Sequence, residues 1–225
     1  MNYWRFRCIH CHQPLAIAKH AICCTCYRKI EKSCYCGCCG ALLPEDQLHC
    51  GNCLRDEPKW HRIVQIAYYK PPLSDWIHRF KFQDQFWADQ GLARLLLLAI
   101  KQAQRTHQLK LPEVIFPVPL YWQREWKRGF NQAQLLAEHL ANWLHIPLDT
   151  TSLQRIRATY SQRQLTAHER RRNLKGAFRY TPKVEYQSVA IIDDVVTTGS
   201  TLNAICAQLL KQGVKHIQVW TLARA

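Results

Sequence analysis

The chain has 225 residues, 48% hydrophobic and 21% charged, a balance that suits a globular protein with a sizeable core. Its longest purely apolar run, residues 95–100, falls far short of the ~20 residues that a membrane-spanning helix needs, and the composition excludes collagen-like and low-complexity chains. Two values stand out: a formal charge of +15, and 12 cysteines of which 11 lie between Cys8 and Cys53.

The first eight residues, MNYWRFRC, lack the apolar core of a secretory signal. A reducing, cytoplasmic setting is therefore expected, and there cysteines serve as metal ligands more often than as disulfides. Four pairs have CxxC spacing: Cys8/Cys11, Cys23/Cys26, Cys36/Cys39 and Cys50/Cys53. Two intervening residues allow a tight turn to aim both sulfurs at one ion, and two such knuckles complete a tetrahedral thiolate site. Eight ligands predict about two structural Zn2+ ions in a double zinc ribbon over residues 1–56, with the pairing of knuckles left open. Cys24, Cys34 and Cys38 are additional thiols, and His10, His12 and His49 adjoin proposed ligands. A segment this short with few large apolar side chains can hardly fold unaided, and closed four-cysteine sites commonly supply the missing folding energy.

After a polar boundary at residues 54–59, the remainder, 57–225, alternates strand and helix patterns. Residues 62–69 are rich in β-branched and aromatic side chains and predict a strand that Pro71 and Pro72 stop. Helical spacing follows over 73–80 and over 89–104, the latter around Leu92, Leu95, Leu96 and Ile100. A short strand is expected at 114–118, a helix at 131–144, a buried strand at 188–192, a helix at 201–212 and a last strand at 217–222. This order predicts an α/β fold, a mostly parallel sheet flanked by helices, with its ligand beyond the carboxyl ends of the strands. Cys206 falls on the apolar face of Leu202, Ile205 and Leu209 and reads as core; Trp87, Trp143 and Trp220 read as packing residues.

The loop between the penultimate strand and its helix carries the strongest chemical signal. The strand ends in two acids, Asp193 and Asp194, and a turn containing Thr197, Thr198, Gly199, Ser200 and Thr201 opens the helix. Free N–H groups and the positive end of the helix dipole favour an anion at such a turn. Neither GxxxxGK[ST] nor GxGxxG is present, so triphosphate and dinucleotide loops are excluded. The carboxylates would repel a bare phosphate. A sugar phosphate resolves the conflict, with its 5′-phosphate in the turn, its ribose hydroxyls donating to the acids, and Mg2+ shared between acids and ligand oxygens.

IIDDVVTTGST resembles the phosphoribosyl pyrophosphate signature of type I phosphoribosyltransferases. The order of zinc knuckles, Pro117-Val-Pro-Leu120, Arg128-Gly-Phe-Asn-Gln132, then Gln162, Leu165, Arg170, Asn173, Ala177 and Phe178, then the phosphate loop, is similar to the competence protein F/GntX family across nearly the whole chain. The resemblance implies a phosphoribosyltransferase-like domain that binds phosphoribosyl pyrophosphate or a related ribose phosphate. It also implies a role in natural transformation and the use of imported DNA, with a competence helicase or another DNA-processing protein as partner. Turnover as a phosphoribosyltransferase in nucleotide metabolism or salvage is the alternative. In that reading Asp193 and Asp194 are the catalytic acids, and no side chain stands out as a general base.

Residues 151–183 hold nine Lys and Arg against the single acid Glu169, a balance of +8 in 33 residues. Aromatics interleave there and around Arg128: Tyr121, Trp122, Trp126, Phe130, Tyr160, Phe178 and Tyr180. Three uses compete for Arg128, Arg170, Arg171 and Arg172: a solvated basic face, a lid that meets pyrophosphate, and a single-stranded DNA track in which arginines neutralise phosphates and rings stack on bases.

Overall fold

The computed structural model describes residues 7–17, 20–82, 88–122, 126, 129–158 and 173–225. Two short helical turns, α1 (Cys24–Tyr27) and α2 (Gly51–Arg55), belong to the cysteine-rich region. Then follow β1 (Arg62–Tyr68), α3 (Leu73–Phe82), α4 (Ala88–Thr106), β2 (Val114–Pro117), α5 (Gln132–Leu144), β3 (Leu153–Arg155), β4 (Phe178–Tyr180), β5 (Ser188–Val196), α6 (Ser200–Lys211) and β6 (His216–Arg224).

The main sheet runs β1-β6-β5-β2, and every pairing in it is parallel. Parallel sheets are covered on both faces, which explains the unbroken apolar strands. One face packs against α3, α4 and α5 through Trp76, Leu92, Leu96, Ile100, Leu136 and Leu140; Ile9 and Ile22 of the cysteine-rich region join the same core. The other face packs against α6 and the two-stranded β3–β4 ribbon through Phe116, Phe178, Ile191, Leu202, Ile205 and Leu209. Cys206 and Trp220 are fully buried, whereas Trp143 is only partly so; Trp87 lies outside the described residues.

The helices end where their chemistry directs. Asp89 in the first turn and Arg105 in the last turn of α4 complement its dipole. Asn131 caps α5: its side chain accepts from the Ala133 N–H at 3.0 Å and donates to the Val118 carbonyl at 3.1 Å. That second bond ties the start of α5 to the carboxyl end of β2.

The expected strand at 188–192 is too short. β5 continues to Val196 because Asp193, Val195 and Val196 keep their pairing with Thr221, Ala223 and Arg224 of β6. Asp193 and Asp194 therefore sit inside a strand. β6 likewise runs past 222 to Arg224, and α6 begins at Ser200, one residue before the predicted start.

Candidate functional site

The eight CxxC cysteines assemble into two quartets, Cys8/Cys11/Cys23/Cys26 and Cys36/Cys39/Cys50/Cys53, with the sulfurs of each within 4.8 Å of one another. The first knuckle joins the second and the third joins the fourth, so the pairing is sequential. A tetrahedral ion with metal–sulfur bonds of ~2.3 Å sets its sulfurs about 3.8 Å apart. Cys11–Cys23, Cys36–Cys53 and Cys39–Cys50 stand 3.7, 3.8 and 3.7 Å apart.

The electrostatics also suit a cation. Burial opposes ionisation at Cys8 and Cys50, but knuckle N–H groups and neighbouring thiols outweigh it: the N–H groups of Cys11, Cys23 and His10 and the Cys11 thiol at Cys8, and the Cys53 N–H, the Cys39 and Cys53 thiols and the Asn52 N–H at Cys50. Both thiols are held at about 7. Burial and neighbouring sulfurs push Cys26 and Cys39 far up. Only a bound cation lets all four members of a quartet ionise together, and the residues present fit one ion each.

The second quartet is locked onto the sheet. The carbonyls of its four consecutive knuckle residues are all occupied: Gly37 by the Ile63 N–H at 2.8 Å, Cys38 by the Trp60 indole at 2.7 Å, Cys39 by Arg224 Nε at 3.3 Å and Gly40 by the Tyr68 hydroxyl at 2.8 Å. The first of these bonds pairs one backbone N–H on the free edge of β1, a group that an edge strand otherwise leaves unpaired.

At the carboxyl end of β5 the predicted loop residues come together. Asp193 and Asp194 are half-buried, Thr197 and Thr198 exposed, and Gly199 buried. The Asp194 N–H donates to Asp193 Oδ1 at 2.9 Å, and Lys81 Nζ from α3 lies 2.9 Å from Asp194 Oδ2. Burial raises the Asp193 carboxyl, the neighbouring Asp194 adds to this, and Lys81 only partly offsets it, leaving Asp193 at about 7. Thr198 and Ser200 pair through their hydroxyls at 2.9 Å, and Asn203 N donates to the Gly199 carbonyl at 2.8 Å. A cavity of about 30 Å³ opens inside the turn, lined by Asp193 and residues 195–202. Gly199 is required twice over. Its φ of 71° is left-handed, and a Cβ there would lie 2.5 Å from the Trp60 ring.

Three residues at this site escaped the sequence reading: Lys81, Trp60 and Arg224. Arg224 donates through Nη1 to the carbonyls of Val196 and Thr197, and so braces the loop from β6. Only the fold carries α3, the segment before β1 and the end of β6 to the same loop, and no local motif marks them.

Arg128, Arg170, Arg171, Arg172 and Tyr160 lie outside the described residues. Just before that segment, Arg157 donates to the carbonyls of Asn173 and Lys175 at 2.7 and 2.8 Å, drawing its two ends together. Phe178 and Tyr180 are buried against α6 and cannot stack on bases; Trp122 and Trp126 are 61% and 87% exposed.

A parallel sheet with helices on both faces, and this loop between β5 and α6, define a type I phosphoribosyltransferase-like fold, here preceded by a cysteine-rich double ribbon. Residues 128–225 match the phosphoribosyl transferase domain family. The chain belongs to the competence protein F family. It is 54% identical to competence protein F of Haemophilus influenzae over all of both chains. It is 45% identical to DNA utilization protein YhgH of Escherichia coli O157:H7, over 96% of each. Among solved structures it is similar to a purine phosphoribosyltransferase from Pyrococcus horikoshii Ot3 at 21% identity, covering 59% of this chain and 73% of that one with a TM-score of 0.36. Among the described residues no helix is long and apolar enough to cross a membrane.

Proposed function

We propose that this protein serves natural transformation, the use of imported DNA, and that its loop at residues 193–201 binds phosphoribosyl pyrophosphate or a related ribose phosphate. One observation carries the ligand reading: paired acids on β5 stand directly before a helix start rich in hydroxyls, so one turn offers acceptors to a ribose and donors to its phosphate. Asp193 and Asp194 face the ribose hydroxyls and a shared Mg2+; Thr197, Thr198, Gly199, Ser200 and Thr201 hold the 5′-phosphate. The DNA reading draws on the names of the two relatives, each aligned along nearly its whole length.

In this reading the chain divides at residue 56. Residues 1–56 form the double ribbon with a structural Zn2+ in each quartet, and residues 57–225 form the ligand domain. The protein works in the cytoplasm. Single-stranded DNA runs over the basic segment 151–183, where Arg170, Arg171 and Arg172 neutralise phosphates, and Arg128 meets pyrophosphate or DNA phosphate. A competence helicase or another DNA-processing protein is the protein partner.

Calorimetry with phosphoribosyl pyrophosphate and Mg2+ tests the ligand. Asp193→Asn with Asp194→Asn should weaken binding at least about tenfold, the loss of one or two charge-assisted contacts; unchanged affinity removes the assignment. Turnover is a second reading, favoured by the Asp193 carboxyl at about 7, where a group exchanges protons readily. Release of pyrophosphate in the presence of nucleobases decides it.

A further inference from the structure

The two quartets are anchored differently. The first faces the helical layer: Arg79 of α3 donates to the Ile9 carbonyl at 3.0 Å, and Ala21 packs against Gly91 of α4. The second is joined to the phosphate loop by two side chains that each make a double engagement. Trp60 donates its indole N–H to the Cys38 carbonyl and lays its ring against Gly199. Arg224 donates Nε to the Cys39 carbonyl and Nη1 to the carbonyls of Val196 and Thr197. Both carbonyls belong to the knuckle of Cys36 and Cys39, two of the four sulfurs of the second quartet. A third link, Lys59 N to Asn203 Oδ1 at 2.9 Å, ties the same linker to the first turn of α6.

We infer that Trp60 and Arg224 are positioning residues that make the second metal quartet the foundation of the phosphate loop, so that metal occupancy there and ligand occupancy at residues 197–201 favour one another. The physical case is geometric. The loop holds a left-handed Gly199 and exposed Thr197 and Thr198, and the strand pairing of β5 ends at Val196. Beyond that point Arg224 holds the Thr197 carbonyl and the Trp60 ring backs Gly199, and both side chains are held in turn by a knuckle whose shape depends on its ion. Metal loss frees the knuckle carbonyls to turn away, and the indole and the guanidinium then lose the partners that orient them. Coupling between binding sites is reciprocal, so a ligand that orders the loop must tighten the second quartet by the same factor. The first quartet shares none of these links and stays indifferent.

The experiment uses the full-length zinc-loaded protein. The ligand arm rests on the ribose phosphate reading above; the backbone arm does not. In the first arm, a chelator and an alkylating reagent are added with and without phosphoribosyl pyrophosphate and Mg2+, and alkylation is followed separately in the Cys8–Cys26 and Cys36–Cys53 peptides. Ligand should slow modification of the second peptide about fivefold or more, a typical coupling, and leave the first unchanged. In the second arm, hydrogen exchange is measured at residues 197–203 without ligand in Arg224→Gln, Arg224→Lys and Trp60→Phe. All three should keep both metals. Exchange at 197–203 should rise about tenfold or more in Arg224→Gln, with Arg224→Lys close behind, because lysine keeps the charge but not the fork that spans knuckle and loop. Equal exchange in all variants, or equal ligand protection of both peptides, overturns the coupling. Failure of the ligand to bind the parent protein removes the ribose phosphate reading alone; exchange at 197–203 in the parent before and after chelation, expected to rise about fivefold or more on metal loss and unchanged if there is no coupling, then decides the coupling.

Discussion

Lys81 at the carboxyl end of α3 and Asp194 on β5 form a half-buried ion pair, 2.9 Å from Nζ to Oδ2, at the mouth of the loop. The pair brings a cation to a site built from two adjacent acids. Lys81→Met should therefore destabilise the fold at pH 8 by about 1–2 kcal/mol, between the values for exposed and buried pairs. It should also raise the Asp193 carboxyl further, since Lys81 is the main influence lowering it among nearby charges. Urea denaturation measures the first effect; carboxyl NMR titration of parent and variant measures the second.

The Asp193 carboxyl stands at about 7 against an ordinary 3.8, so the folded chain binds a proton there that the unfolded chain has already released. Between these two values the unfolded state holds fewer protons, and this group's contribution to stability falls as pH rises from about 4 to about 7. Asp193→Asn keeps an acceptor for the Asp194 N–H but cannot ionise. The variant should gain stability relative to the parent on going from pH 5 to pH 8, by on the order of 1 kcal/mol. A difference between the two that stays constant over this range would show that Asp193 titrates in the ordinary range.

Sequential pairing of the knuckles has a countable consequence. Cys36→Ser should lower zinc content from about two equivalents to about one and expose Cys39, Cys50 and Cys53 to alkylation, while Cys8, Cys11, Cys23 and Cys26 stay protected. Cys11→Ser should do the reverse. Elemental analysis with peptide mapping distinguishes this from interleaved pairing, in which either change would expose sulfurs from both halves.

Gly199→Ala must place a Cβ at a left-handed backbone position and against Trp60. The backbone term alone costs roughly 1–2 kcal/mol, and the clash adds to it. Thermal denaturation should register a loss of at least that size. Gly213→Ala, where φ is 90° but the space is open, should incur only the backbone cost.

Changing Arg170, Arg171 and Arg172 together to Ala should reduce single-stranded DNA affinity and flatten the dependence of log K on log salt by about 2, three contacts at roughly 0.7 each. Trp122→Ala and Trp126→Ala should lower affinity by about 1–3 kcal/mol per stacked base without altering the slope. An unchanged slope in the triple variant would assign that segment to a lid or a solvated face.

Much of this architecture is legible in the amino-acid sequence. The CxxC spacing, the helical periodicity of 89–104 and the acid-acid-turn-helix pattern of 193–201 are local signals, and each corresponds to an element or cluster in the fold. What escaped was long-range. β5 looked finished at Ile192 because acids rarely continue a buried strand, yet backbone pairing with β6 carries it to Val196 whatever its side chains. The β3–β4 ribbon is three residues a side, too short to leave a pattern. Phe178 and Tyr180 looked available for stacking because their neighbours are basic; alternate residues on β4 face α6, a fact of tertiary packing. Lys81, Trp60 and Arg224 converge from three distant segments, and their shared destination is defined by topology alone.

The strand order gives β6 an unusual burden. It lies between β1 and β5, so the amino-terminal edge of the sheet is joined to the rest only by a strand that follows roughly 150 residues later. During synthesis β1 therefore emerges long before the strand it pairs with, and the sheet cannot close until the carboxyl-terminal strand arrives.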